Sequence, residues 1–228
     1  MKHDFLYLIW KNPENRRNYT IGKLIRENEY KFEYSKDYEE ALKAGWKLIQ
    51  AFPVVKVYQS RELFPMFSSR LPDPKRRDIK EVLGKYGLDE YDGYELLKRS
   101  GGRLPIDTYE FIDPIFPEDE TVQRDFYVVG IRHVLGCQGE ECVSKQELHL
   151  NMELYLKRET DNSYDTNAVL VRTCQGKTIG YIPRYYSESV AFRLQANMSY
   201  LCTIIELNTE KDCQNCVKVR LVMPREGK

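Results

Sequence analysis

A chain of 228 residues has room for one large or two small domains, and its 35 basic and 35 acidic side chains balance. Residues 1–115 carry 21 Lys/Arg against 19 Asp/Glu, and residues 116–228 carry 14 against 16, so neither half is the strongly basic body that grips long duplex DNA through its phosphates; any nucleic-acid site must be small and local. No apolar run is long enough to span a membrane as a helix and the N-terminus lacks a signal-peptide pattern, so a cytoplasmic protein without a membrane partner is expected, its six cysteines serving as thiols or metal ligands rather than disulfides.

In chain order, Phe5–Trp10 is an apolar run, and Tyr19–Arg26 and Tyr30–Tyr34 alternate; the three predict an antiparallel sheet with Asn12-Pro13 in the first turn. Ser35 is placed to cap a short helix that Gly45 ends. Phe52–Tyr58 reads as a returning strand and Glu62–Arg70 as the start of a helical region. Asp73-Pro74 is a helix start, with Ile79, Val82, Leu83 and Tyr86 on one face and Gly87 closing it. Asp92–Arg99 is a further helix, ended by Gly101-Gly102. These elements make an α+β domain over residues 1–115, a small antiparallel sheet with helices. Asp113-Pro114, Phe116-Pro117 and Glu118-Asp119-Glu120 then stack prolines and acids without periodicity, which sets a linker at 116–124 and a second domain at 125–225.

The run Glu62-Leu63-Phe64-Pro65-Met66-Phe67-x-x-Arg70-Leu71-Pro72, followed by the Asp73–Tyr86 helix, resembles the N-terminal subdomain of HipA-type kinases, which also occurs as a stand-alone antitoxin subunit. The chain leaves no room for a kinase lobe and carries no phosphate-cradling Gly-rich loop or catalytic Asp/Asn signature. The resemblance therefore implies the accessory piece without the enzyme, and a HipA-type serine/threonine kinase as its docking partner in a toxin–antitoxin setting.

The second domain reads as mostly strands. Phe126–Val134 is the first and Gly136–Lys145 a loop; Leu148–Lys157 alternates strictly, with Leu148, Leu150, Met152, Leu154 and Leu156 on one side. Ala168–Val171 and Ile179–Ile182 flank a turn at Gly176, and a helix from Tyr185 packs Val190, Leu194 and Phe192. Tyr200–Leu207 and Val217–Met223 close a last hairpin around Cys213-Gln214-Asn215-Cys216. Six strands and one helix suit a small OB-like or SH3-like barrel.

Within this domain the stretch Arg158-Glu159, Asn162-Ser163-Tyr164-Asp165-x-Asn167-Ala168-Val169 and Gly180-Tyr181-Ile182-Pro183-Arg184, with Tyr127-Val128-Val129-Gly130-Ile131-Arg132-His133 before it, resembles the HIRAN domain in the family's order. The resemblance implies a mainly β fold and a binding module, not an enzyme, that takes the 3′ end of single-stranded DNA in a pocket. Carried onto this chain it implies nucleic-acid contacts from Arg132 and His133 on the first strand, Asn162, Tyr164 and Asp165 in the loop, Tyr181, and Arg184. Tyrosine faces stack on bases, arginines meet phosphates, and a carboxylate at Asp165 accepts from a free 3′-hydroxyl that an internal nucleotide lacks. Ser163 stands where the family usually has Pro, and His133 where an aromatic hydroxyl is common. The same residues also allow a purely structural reading: Asn162, Asp165 and Asn167 closing an Asx turn, Tyr164 plugging one end of the domain, and Arg132 and Arg184 simply solvated.

Cys137-x4-Cys142 and Cys213-x2-Cys216 each fall in a loop, and the two pairs would supply a four-thiolate structural zinc site if the loops meet; free thiols are the alternative, and no cofactor is otherwise required. Cys174 and Cys202 sit in apolar runs and are expected in the core.

Overall fold

An apolar run, Phe5–Lys11 (β1), and two roughly alternating ones, Asn18–Arg26 (β2) and Tyr30–Tyr34 (β3), pair antiparallel in the computed structural model, which describes residues 4–116, 119, 121–136, 147–208 and 215–224. After Tyr38–Lys43 (α1), the strand expected over Phe52–Tyr58 is reduced to Tyr58–Ser60 (β4). Pro53 has no N–H for a ladder, and the Phe52 ring instead turns into the core, 4.4 Å from that of Phe32. The helical region expected from Glu62 is a single turn, Pro65–Ser68 (α2), which buries Phe67. The helix expected from Asp73 begins only at Ile79 (α3, Ile79–Lys85): the Asp73 carboxylate does accept from Lys75 N at 2.7 Å, but the backbone then makes separate turns, Arg76 N to Asp73 O at 3.1 Å and Ile79 N to Arg76 O at 3.3 Å. Gly93–Ser100 (α4) has the expected ends: Asp92 caps the N–H groups of Tyr94 and Glu95, and Gly101 turns out of it at φ 75°. Tyr109–Ile112 (β5) then adds to β1, and the sheet runs β4-β3-β2-β1-β5.

One buried cation ties this unit together. Arg70 donates to both carboxylate oxygens of Asp107 at 2.7 Å, to Gly102 O at 2.6 Å and to Tyr109 O at 3.2 Å, so the segment after α2 is fastened to the start of β5. Burial alone would raise the Asp107 pKa, but the bonds from Arg70 and from the Tyr109 N–H outweigh it and hold the carboxyl below its ordinary range.

The chain divides into two compact units between Pro114 and Ile115. The second contains Val122–Tyr127 (β6), Ile131–Leu135 (α5), Tyr155–Arg158 (β7), Val169–Arg172 (β8), Thr178–Tyr181 (β9), Arg184–Gln195 (α6), Leu201–Leu207 (β10) and Val217–Met223 (β11). Where a six-stranded barrel was expected, the strands form two three-stranded sheets, β10-β11-β6 and β7-β8-β9. Single bridges, Val129 to Tyr181 and Glu153 to Thr203, join them. Two left-handed residues account for the difference. Gly130, at φ 75°, stops the first strand and starts α5, so Arg132 and His133 lie on a helix and not on a strand. Asn151, at φ 63°, interrupts the alternating run before β7 and leaves Leu150 55% exposed; Asn tolerates this conformation better than most residues.

On α6 Val190 is buried as expected, while Phe192 stands 56% exposed and Arg193 is wholly buried. The Arg193 guanidinium donates to Phe116 O at 2.7 Å and Asp119 O at 2.9 Å, and Ser189 Oγ donates to Ile115 O at 2.7 Å, so the start of the unit is held along α6. No helix among the described residues is long and apolar enough to cross a membrane.

A group whose folded pKa is depressed contributes stability above its unfolded pKa and loses it as pH falls through the folded value. Asp107→Asn is therefore expected to destabilise the N-terminal unit by about 3 kcal/mol at neutral pH, through the uncompensated charge on Arg70. It should also flatten the fall of stability below pH ~4, the unfolded carboxylate range. Denaturant unfolding of both forms across that window checks both effects.

Candidate functional site

The loop between β7 and β8 is built from its own side chains. Asn162 Oδ1 accepts from Tyr164 N at 2.9 Å and Asp165 N at 3.0 Å, and Asn162 Nδ2 donates to Glu159 Oε2 at 2.6 Å. Asp165 Oδ1 in turn accepts from Asn167 N at 2.9 Å, and Ala168 N donates to Asp165 O at 2.9 Å. These are Asx-type turns, which short polar side chains close because they reach their own backbone. With the backbone held this way, the Tyr164 ring is left 80% exposed.

β9 delivers the other wall. Ile182 N donates to Val169 O at 2.9 Å, so the chain leaves the sheet beside the loop, and Pro183 places α6 directly after it. Ser163, Tyr164, Asp165, Thr166 and Asn167 of the loop and Arg184, Ser187 and Glu188 of α6 line a cavity of about 340 Å³. Ser187 Oγ lies 2.7 Å from Asp165 Oδ2. The cavity thus sets one guanidinium against two carboxylates, with an aromatic face at its edge.

The seven residues singled out in the sequence divide accordingly. Tyr164, Asp165 and Arg184 share the cavity. Asn162 lies behind it and shapes the backbone. Tyr181 lies near Glu159, the carboxylate that also holds Asn162; burial first, then the Glu159 charge, raises the phenol pKa. The Tyr181 ring lies against Gly130, where a Cβ would sit 3.1 Å from it. Arg132 and His133 follow on α5, both exposed, and are not among the residues that line the cavity. Sequence reasoning passed over Glu159, Ser187 and Glu188. Glu159 was in view within the Arg158-Glu159 pair; Ser187, far along the chain from Asp165, carried no local signal. The Gly180 of the Gly-Tyr-Ile-Pro-Arg run has a packing cause: a Cβ there would lie 2.5 Å from Val129 O and 2.6 Å from Val128 Cγ1.

Of the four cysteines considered for zinc, Cys137, Cys142 and Cys213 lie outside the described residues, and Cys216 is buried. Among the described residues no group of three or more potential metal ligands comes together. Cys202 is buried as expected, which pushes its thiol up to about 12. Cys174 is exposed, contrary to expectation, because it falls in the turn that Gly176 N closes on Thr173 O at 2.9 Å.

The comparisons with known proteins divide the chain in the same way. The HIRAN domain family model matches residues 123–223. The C-terminal unit is a HIRAN domain. The family model of the HipA N-terminal domain matches residues 16–105. Among solved structures, a protein from Lactobacillus plantarum is 25% identical over 45% of this chain and 94% of its own, with a TM-score of 0.37. The HIRAN domain of human HLTF is 19% identical over 46% of this chain and 78% of its own, with a TM-score of 0.32. The same HLTF domain in its DNA-bound conformation, solved by NMR, is 16% identical over 47% of this chain and 77% of its own, also at 0.32. No curated protein matches the chain.

Two outcomes are expected of the HIRAN domain. Gly180→Ala should cost about 1–3 kcal/mol by overpacking the Val128–Val129 backbone, read from chemical denaturation. Thiol alkylation followed by mass spectrometry should modify Cys174 in the native protein and Cys202 only on unfolding.

Proposed function

We propose that the protein is a non-catalytic nucleic-acid-binding protein whose HIRAN domain captures single-stranded DNA at its 3′ end. The observation that carries the reading is the opening of Tyr164, Asp165 and Arg184 onto one cavity of about 340 Å³. That volume is near the lower end of small-ligand sites, roughly 300–1,000 Å³, and suits a terminal nucleotide better than a duplex. An unpaired end offers a bare base face to Tyr164, a contact worth about 1–3 kcal/mol. Arg184 meets the adjoining phosphate through charge-assisted bonds. Asp165 accepts from the terminal hydroxyl, and its charge, with that of Glu188, repels a phosphate placed there instead. Arg132, with His133 beside it, is exposed on α5 and supplies a cationic contact to the strand beyond the end. DNA binding is a property of the HLTF HIRAN domain, which has been solved in a DNA-bound conformation, and the balanced charge of this chain agrees with a grip on few phosphates. Nothing in this reading requires a catalytic group or a cofactor.

The HipA N-terminal domain match favours a second role for the other unit, as an antitoxin-like subunit that docks on a HipA-type serine/threonine kinase. The two roles are compatible, since each unit has its own core.

The test is a titration of short single strands bearing a free 3′-hydroxyl, a 3′-phosphate or a duplexed 3′ end, at two salt concentrations. The free hydroxyl should bind most tightly, with a shallow salt slope of about −0.7 per phosphate engaged. Asp165→Ala should bring the hydroxyl and phosphate strands to equal affinity. Equal binding of those two strands by the unaltered protein would rule the reading out. Loss of all DNA binding with retained co-purification of a HipA-type kinase would leave the second role standing alone.

A further inference from the structure

We propose that Ser187 is the positioning residue that sets the Asp165 carboxylate for end recognition, an inference that rests on the reading above. A carboxylate on a loop turns readily about its terminal torsion, yet here both oxygens are held. Oδ1 accepts from Asn167 N at 2.9 Å, within the loop. Oδ2 lies 2.7 Å from Ser187 Oγ, which comes from a different element, α6, and is only 2% exposed. The loop alone fixes one oxygen and leaves the plane of the carboxylate free; the bond from α6 is what fixes the plane.

The Ser187 hydroxyl has one hydrogen and two acceptors within reach, Asp165 Oδ2 at 2.7 Å and Arg184 O at 2.8 Å. A bond to an ionised acceptor is roughly twice as strong as one to a neutral acceptor, so the hydrogen goes to Asp165. Two of the roughly four lone-pair directions of the carboxylate are then occupied, and the others stay available to a donor in the cavity. Because Arg184 and Ser187 lie on the same turn of α6, the bond also keeps the guanidinium and the carboxylate at one separation, which is what a ligand presenting a phosphate and a hydroxyl would measure. The competing role for Ser187 is a back-bond to Arg184 O that merely trims the helix; it would leave Asp165 unaffected.

The experiment is fluorescence anisotropy on the full chain, with labelled oligothymidylate ending in a 3′-hydroxyl or a 3′-phosphate, beside thermal melting of each variant. Ser187→Ala should lower the hydroxyl-over-phosphate preference about tenfold, the effect of one hydrogen bond to a charged group. In an Asp165→Asn background the same substitution should change the preference no further, since a residue that acts through Asp165 has nothing left to act on. Should Ser187→Ala not fold, Ser187→Cys keeps the volume with a weaker donor and should lose part of the preference. The inference is overturned if Ser187→Ala keeps the unaltered preference, or if it lowers the preference equally in both backgrounds. An unaltered protein that shows no preference defeats this inference and the reading beneath it. A preference lost in Asp165→Ala but kept in Ser187→Ala defeats this inference alone.

Discussion

The side-chain oxygen of Asn162 holds the N–H groups of Tyr164 and Asp165, and the candidate site follows from that arrangement. A loop that leaves a sheet must pair its backbone polar groups with something, and here the chain supplies the partner from its own side chains. The turn that results cannot fold the Tyr164 ring inward, and it directs the Asp165 carboxylate toward α6. From Asn162 the same restraint runs the other way to Glu159, and the Tyr181 backbone bridges Val129 across the seam between the two sheets.

α6 is the second fixed body. Its first turns carry Arg184, Ser187 and Glu188 into the cavity, and further along, Ser189 and the buried Arg193 hold carbonyls of residues 115, 116 and 119. Burying a guanidinium is costly, and burial lowers the Arg193 pKa despite the opposing charge of Asp119. One nitrogen, Nη2, donates to both carbonyls, while Nε and Nη1 are buried without a hydrogen-bond partner among the described residues. The N-terminal unit uses a comparable device, in which Arg70 spans Asp107, Gly102 and Tyr109 beneath the sheet. That arginine closes the Leu-Phe-Pro run by which the unit resembles the HipA N-terminal domain, and its role there is architectural.

Much of this was legible in the residues. Strand β1 was visible as an apolar run and β2 and β3 by their rough alternation of residue type, and α4 because Asp92 and Gly101 mark its two ends at fixed offsets. The Asx loop was visible for the same reason: its bonds span two or three residues. The errors have a common physical source. Leu148–Lys157 carries a strand's alternation and Phe126–Val134 reads as a mostly apolar strand, but a single left-handed residue within each, Asn151 and Gly130, redirects the backbone, and hydropathy does not register a φ angle. Cys174 sits beside an apolar run yet belongs to the Gly176 turn.

The sequence by itself determined the division into two units, the α+β and mainly β character of each, and the polar loop with its tyrosine and carboxylate, because propensity, pattern and turn chemistry act between near neighbours. Only the tertiary structure decided that Ser187 meets Asp165, that Arg184 rather than Arg132 shares the cavity with Tyr164, and that Arg132 and His133 ride on a helix. The first two of those relations join residues about twenty or more positions apart. They are set by how β9 and α6 leave the sheet, and no local run of residues encodes that direction.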